Sequence, residues 1–268
     1  MQLKNILQLF FKLKPKYYGY TVRNLSLCEK SIEYAVWNHP KVKEPDICNE
    51  DVLFYKNYVT KGDFCIDIGA HMGDTTLPMG IATGKDGFVL ALEPNPHVFH
   101  VLDKNARANA HCTSIRPIMA AASNKEIFQT FEYSDASFCN GGKHQDISIL
   151  KHGHVYPLNV FCINLKQELE THYKCWLPKL RFIKIDTEGY DFVIIKTIAD
   201  IITKYRPVIK SEVYKKTSKA YRQDLLKFFD DIQYDVLKFS GDTYNIEGKL
   251  TTNNMYQSKN YDVLCVPK

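Results

Sequence analysis

The sequence predicts an α/β domain in which a mostly parallel sheet is covered by helices on both faces. Two observations carry this. From Phe64 onward, short apolar runs alternate with segments of helical period, the pattern of successive crossover units. The runs Phe64–Ile68 and Phe88–Leu92 are apolar almost without a break, as strands buried on both faces are. Composition agrees: with 268 residues, 45% hydrophobic and 24% charged, the chain can bury a large core, which excludes disorder, collagen and simple coiled coils. Lys and Arg exceed Asp and Glu by only +5, far short of a dedicated binder of phosphate backbones.

Residues 1–50 are rich in Lys and Tyr and read as an N-terminal extension to a domain spanning 51–268. Ile6, Leu9, Phe10 and Leu13 fall at helical spacing, so the extension is expected to be helical and to pack on the parent domain, at the acceptor side, or on a second copy in a homodimer, the alternative being a membrane-surface anchor. Gln8 and Lys12 interrupt that stretch and no small-residue cleavage site follows it, so neither a signal peptide nor a spanning helix is expected there. The eight cysteines are scattered without CxxC pairs or zinc spacing and read as reduced thiols, so the cytoplasm is the expected compartment.

Within the domain, Phe64–Ile68 ends in Gly69, and a helix follows with Asp74, Thr75 or Thr76 as its cap. Phe88–Leu92 ends in Glu93, and Asn95 then caps a helix with Pro96 at its first position, buried through Val98, Val101 and Leu102. Strands are expected around Ile115–Ala121 and Gln129–Tyr133, and residues 134–157 read as loop. Arg181–Ile185 is the next strand, followed by a helix striped by Phe192, Ile195, Ile198, Ala199 and Ile202. Val208–Val213 is a strand, Leu225, Phe228, Phe229 and Ile232 line a helix, and Tyr234–Phe239 with Tyr261–Val266 form a terminal antiparallel pair.

The chemistry centres on Asp67-Ile68-Gly69-Ala70-His71-Met72-Gly73-Asp74, between the first strand and its helix. Gly69 permits a tight turn, and Gly73 permits close approach of a ligand to the backbone. Glu93, at the end of the next strand, is placed to accept hydrogen bonds from both ribose hydroxyls of an adenosine ligand. Neither Gly-x-Gly-x-x-Gly nor a P-loop occurs, and Asp67 would repel a pyrophosphate while suiting the cationic amino group of an amino-acid moiety.

These residues resemble the FkbM-type S-adenosylmethionine-dependent methyltransferases over roughly Asp51–Glu212. The resemblance rests on Phe64–Asp74, Leu92–Pro96, Ala121–Asn124 and Phe182–Gly189, with His71 where the family usually has Asn and Asn124 where it usually has Asp. It implies a class I, Rossmann-like sheet of seven strands ordered 3-2-1-4-5-7-6. It also implies S-adenosylmethionine as cofactor. The contacts it implies come from Asp67, Gly69, Ala70, His71, Gly73, Asp74 and Thr75 in the turn, from Glu93, Pro94 and Asn95 after the second strand, and from Ala121 and Asp186.

Methyl transfer to a hydroxyl needs alignment and a base. Asp186, at the end of the strand beside the cofactor strand, is the first candidate base, the alternative being a helix cap. Glu188 and His71 are further catalytic candidates. Glu188, Glu212 and His144 are the expected substrate contacts, with His152 and His154 in the same loop. The carboxylates can orient a polyhydroxylated acceptor or hold a divalent cation, and the first is favoured because no decisive ligand spacing occurs. The expected activity is O-methylation of a sugar or glycan, the sugar coming from the resemblance alone. The alternatives are a nucleic-acid or polyketide-type O-methyltransferase, or a catalytically silent adenosine-binding partner subunit. Nucleic acid is not expected, since no basic stripe interleaved with aromatics and no Asn/Asp-Pro-Pro-Tyr/Phe string occurs.

Overall fold

A computed structural model describes residues 17–40, 47–133, 156–240 and 244–268. The order of elements is β1 (Tyr20–Leu27), β2 (Lys30–Trp37), α1 (Asn49–Lys56), β3 (Phe64–Ile68), α2 (Thr76–Thr83), β4 (Phe88–Leu92), α3 (Pro96–Ala108), β5 (Ile115–Ile118), β6 (Ala121–Ser123) and β7 (Ile127–Tyr133). Then follow β8 (Tyr156–Asn164), α4 (Leu165–His172), β9 (Leu180–Ile185), α5 (Asp191–Thr197), α6 (Ala199–Tyr205), β10 (Val208–Val213), α7 (Lys219–Asp231), β11 (Tyr234–Ser240), β12 (Asn245–Lys249) and β13 (Tyr261–Pro267).

The main sheet has eight strands in the order β12-β11-β13-β10-β9-β3-β4-β5. From β5 to β11 this is the arrangement 3-2-1-4-5-7-6, and β12 adds an eighth strand at the edge beyond the seven expected. Strands β5, β4, β3, β9 and β10 run parallel, whereas β13 enters antiparallel between β10 and β11. Alternation along β3 explains its burial on both faces. Phe64, Ile66 and Ile68 pack with α4 to α7, while Cys65 faces the core shared by α1, α2, α3 and the hairpin. The chain runs outward from β3 through β4 and β5, then returns to β9 on the other side. The switch point, where open α/β sheets bind ligands at their carboxyl ends, therefore lies between β3 and β9.

Several segments depart from expectation. The helix expected around Ile6–Leu13 lies outside the described residues, and the part of the extension that is described folds as the β1–β2 hairpin instead. Its two-residue turn, Cys28–Glu29, has positive φ at both positions (47° and 66°), the geometry that matches strand twist but that normally calls for Asn or Gly. The strand expected over Ile115–Ala121 is divided: β5 ends at Ile118, and β6 joins a second sheet, β6-β8-β7, around Ala121, Tyr133, Val160 and Cys162. Ile198 separates α5 from α6, where one continuous helix was expected.

Candidate active site

The turn after β3 is held against its neighbours by main-chain geometry. Gly69 N and Ala70 N both donate to Leu92 O at 3.0 Å, and Asp186 N donates to Ile68 O at 3.0 Å, so the ends of β4 and β9 close around the end of β3. Gly69 has φ +77°, and a Cβ there would lie 2.0 Å from the Asp186 carbonyl oxygen. No other residue fits without moving β9. His71 follows in the left-handed region at φ 49°, where Asn, Asp and His are the enriched non-glycine residues. This accounts for the His-for-Asn exchange in backbone terms.

Asp67 is fully buried. Its Oδ2 accepts from Thr75 Oγ1 at 2.9 Å and Thr76 Oγ1 at 2.6 Å, while Oδ1 lies 3.5 Å from Lys184 Nζ. The carboxylate expected to meet a ligand's amino group thus serves the protein itself, tying the start of α2 to β3. Thr75 and Asp74, half-buried, follow the turn. Glu93 is 3% exposed. Its Oε2 accepts from His71 N and its Oε1 from Asn95 N, both at 2.8 Å. Burial raises its pKa to about 7 against the pull of those two amides. Each oxygen keeps a lone pair for a ribose hydroxyl. Asn95 caps α3 as expected, accepting from His97 N at 2.9 Å, and Pro94 joins it to Glu93. Ala121 is buried at the start of β6.

The second half of the site is carboxylate-rich. Asp186 follows β9 with a side chain 50% exposed and Oδ2 3.6 Å from Lys184 Nζ. Glu188, at φ 56°, has its pKa pushed up to about 8, first by burial and then by the carboxylates of Glu212, Asp186 and Asp191. Glu212 on β10 accepts from Asn260 Nδ2 through Oε1 at 2.9 Å. Its Oε2, shielded from solvent, has no hydrogen-bond partner among the described residues, and burial raises its pKa. Burial lowers the pKa of His71, whose ring meets the edge of Trp37 at 5.7 Å. His144, His152 and His154 lie outside the described residues. Among the described residues, no group of three or more His, Cys, Asp or Glu side chains is placed to hold a metal ion.

Two site residues escaped the sequence reading. Lys184 is buried, donates to Gly69 O at 2.8 Å and stands between Asp67 and Asp186. Burial opposes its charge, but Asp67, Asp186 and Asp74 together hold its pKa above the usual lysine value. A charge inside an otherwise apolar strand was the available signal, since a lysine there requires partners. Asp191, fully buried, shapes the turn after β9. Its Oδ2 accepts from Thr187 N, Thr187 Oγ1 and Gly189 N, and its Oδ1 from Ser211 Oγ and Glu212 N, at 2.8–3.3 Å.

The Methyltransferase FkbM domain model matches residues 67–237, from the carboxylate of β3 to β11. The chain belongs to the FkbM methyltransferase family. The matched span of this FkbM methyltransferase contains Gly69, Glu93, Lys184, Asp186, Glu188, Asp191 and Glu212. Solved structures with similarity to it include methyltransferase FkbM from Methylobacillus flagellatus KT, at 14% identity over 81% of this chain and 51% of that one, with TM-score 0.45. M. jannaschii TYW2 in complex with AdoMet matches at 16% identity over 94% and 86%, with TM-score 0.43. Precorrin-6y C5,15-methyltransferase from Geobacter metallireducens GS-15 matches at 13% over 85% and 93%, with TM-score 0.42. No curated protein matches the chain. No helix among the described residues is long and apolar enough to cross a membrane.

Proposed function

We propose that this FkbM methyltransferase uses S-adenosylmethionine to methylate a hydroxyl of a sugar or glycan. The observation that carries the reading is the placement of Asp186, Glu188 and Glu212 at the ends of β9 and β10, beside the glycine turn and Glu93. The donor set suits the cofactor: a buried carboxylate with spare lone pairs for ribose stands next to a turn that only glycine can make. When bound, S-adenosylmethionine supplies a methyl group activated by its sulfonium. Everything else falls to the chain.

Glu93 orients the ribose, and its two backbone amides keep it from turning away. Glu212 Oε2 has acceptor capacity to spare and holds an acceptor hydroxyl in place, a direct use of positioning. Glu188 takes the hydroxyl proton. Its pKa of about 8 places it near the operating pH, where a base combines availability with driving force. Asp186, 3.6 Å from Lys184 Nζ, orients a second hydroxyl. Carboxylates crowded around one pocket suit a neutral, hydroxyl-rich acceptor and repel a phosphate-rich one.

Transfer of labelled methyl from S-adenosylmethionine to separate panels of glycans, RNA and small phenols tests the reading. Label is expected in the glycan panel, with kcat/KM rising as pH passes about 8. Glu188→Gln should remove that rise and lower kcat by about 10²–10⁴-fold. Label confined to RNA or phenols would overturn the sugar assignment, and an unchanged profile in Glu188→Gln would remove the base.

A further inference from the structure

Strand β2 has two edges but, among the described residues, only one strand partner, β1. The other edge faces the end of α3, where Asn105 in its last turn and Asn109 just past its end are both fully buried. Asn105 Oδ1 accepts from Ala35 N at 2.7 Å, and its Nδ2 donates to Ala35 O at 2.9 Å. Asn109 repeats the pattern on Glu33, accepting from its N at 3.0 Å and donating to its O at 2.7 Å. The spacings agree because four helical residues rise about 6 Å and two strand residues about 6.6 Å. Two side-chain amides thus stand in for a missing strand.

The two differ in where their remaining hydrogen goes. Asn109 donates to Asn105 O within the helix at 2.9 Å. Asn105 donates to Met72 O at 2.8 Å, inside the turn between His71 and Gly73. Both hydrogens of the Asn105 amide are then used, and its orientation is set by Ala35 on one side while it fixes Met72 on the other. Trp37, at the end of β2, meets His71 in the same turn.

We propose that Asn105 is a positioning residue for cofactor binding, through which the docked β1–β2 hairpin holds the glycine turn in its ligand-ready shape. The inference rests on the reading that this turn holds S-adenosylmethionine. It makes Asn109 a built-in control, since Asn109 docks the same strand without touching the turn. Linkage also requires that a ligand gripped by the turn tighten the hairpin by the same factor.

Calorimetry with S-adenosylhomocysteine on the full chain separates the two claims. If the wild-type chain does not bind, the cofactor reading fails. If it binds, Asn109→Ala is expected to lower Tm while keeping Kd within twofold, whereas Asn105→Asp, which turns a donor into an acceptor against the Met72 and Ala35 carbonyls, should weaken binding at least tenfold. Equal loss in both variants, or loss in neither, would overturn the positioning role. Should Asn105→Asp not fold, hydrogen exchange on the wild-type chain decides. S-adenosylhomocysteine must slow exchange across residues 30–37, and unchanged exchange there overturns the proposal.

Discussion

Gly69 is the residue at which geometry leaves least freedom. A methyl group there meets the Asp186 carbonyl at 2.0 Å and imposes a positive φ on a residue that resists it. Gly69→Ala is therefore expected to cost about 2–3 kcal/mol in denaturant unfolding, within the range for strained backbone positions, and to abolish S-adenosylhomocysteine binding. Glu188 makes a different prediction. Its pKa of about 8 in the fold lies above the ordinary 4.5, so the folded state favours the protonated form. The stability it contributes is fully present below pH 4.5 and is lost as pH rises through about 8. Glu93 and Asp191, both raised to about 7 by burial, act with the same sign. Glutamine carries no charge to penalise, so the Tm of Glu188→Gln minus that of the wild type should grow from pH 5 to pH 9. A constant difference across that range would show that the carboxyl titrates normally.

The hairpin is the element with the largest unread role. Trp37 at its end is 2% exposed and packs against Tyr18, His39 and His71. Trp37→Ala should cost about 3–5 kcal/mol in urea unfolding, as for other large buried aromatics. A loss below 1 kcal/mol would mean that the hairpin is an appendage after all. Its concealment in the sequence has a physical cause. Strands β3, β4 and β9 announce themselves as apolar runs because both of their faces are covered, whereas β10 and β11 show in the sequence through alternation, with every second residue buried along most of their length. Strand β1 is exposed along most of its length, and the Cys28–Glu29 turn lacks the Asn-Gly chemistry that marks hairpins. Pro157 near the start of β8 hides that strand in the same way. At the site, Gly69 and Glu93 were legible because strand-end glycine and acid form a local pattern. Lys184 and Asn105 were not, because the atoms they bind, Gly69 O and Ala35, lie 115 and 70 residues away.

At the scale of the molecule, the glycine turn is where the hairpin is tied to the main sheet. Glu93, Lys184 and Asn105 each anchor the glycine turn from a different element. Saturation with S-adenosylhomocysteine at a hundred times its Kd supplies about 2.7 kcal/mol by mass action. That should raise Tm by roughly 5–10 °C, at about 2–4 °C per kcal/mol for a chain of this size. A rise confined to the wild type and missing from Gly69→Ala would place the ligand in the turn. The asparagine pair has one more effect on the whole chain. A strand rim with bare amides and carbonyls recruits other chains into edge-to-edge aggregates. Asn105 and Asn109 occupy that rim at Glu33 and Ala35. Losing both would bare the edge of β2 and turn the docking seam into an adhesive surface, so resistance to aggregation rests on these two amides.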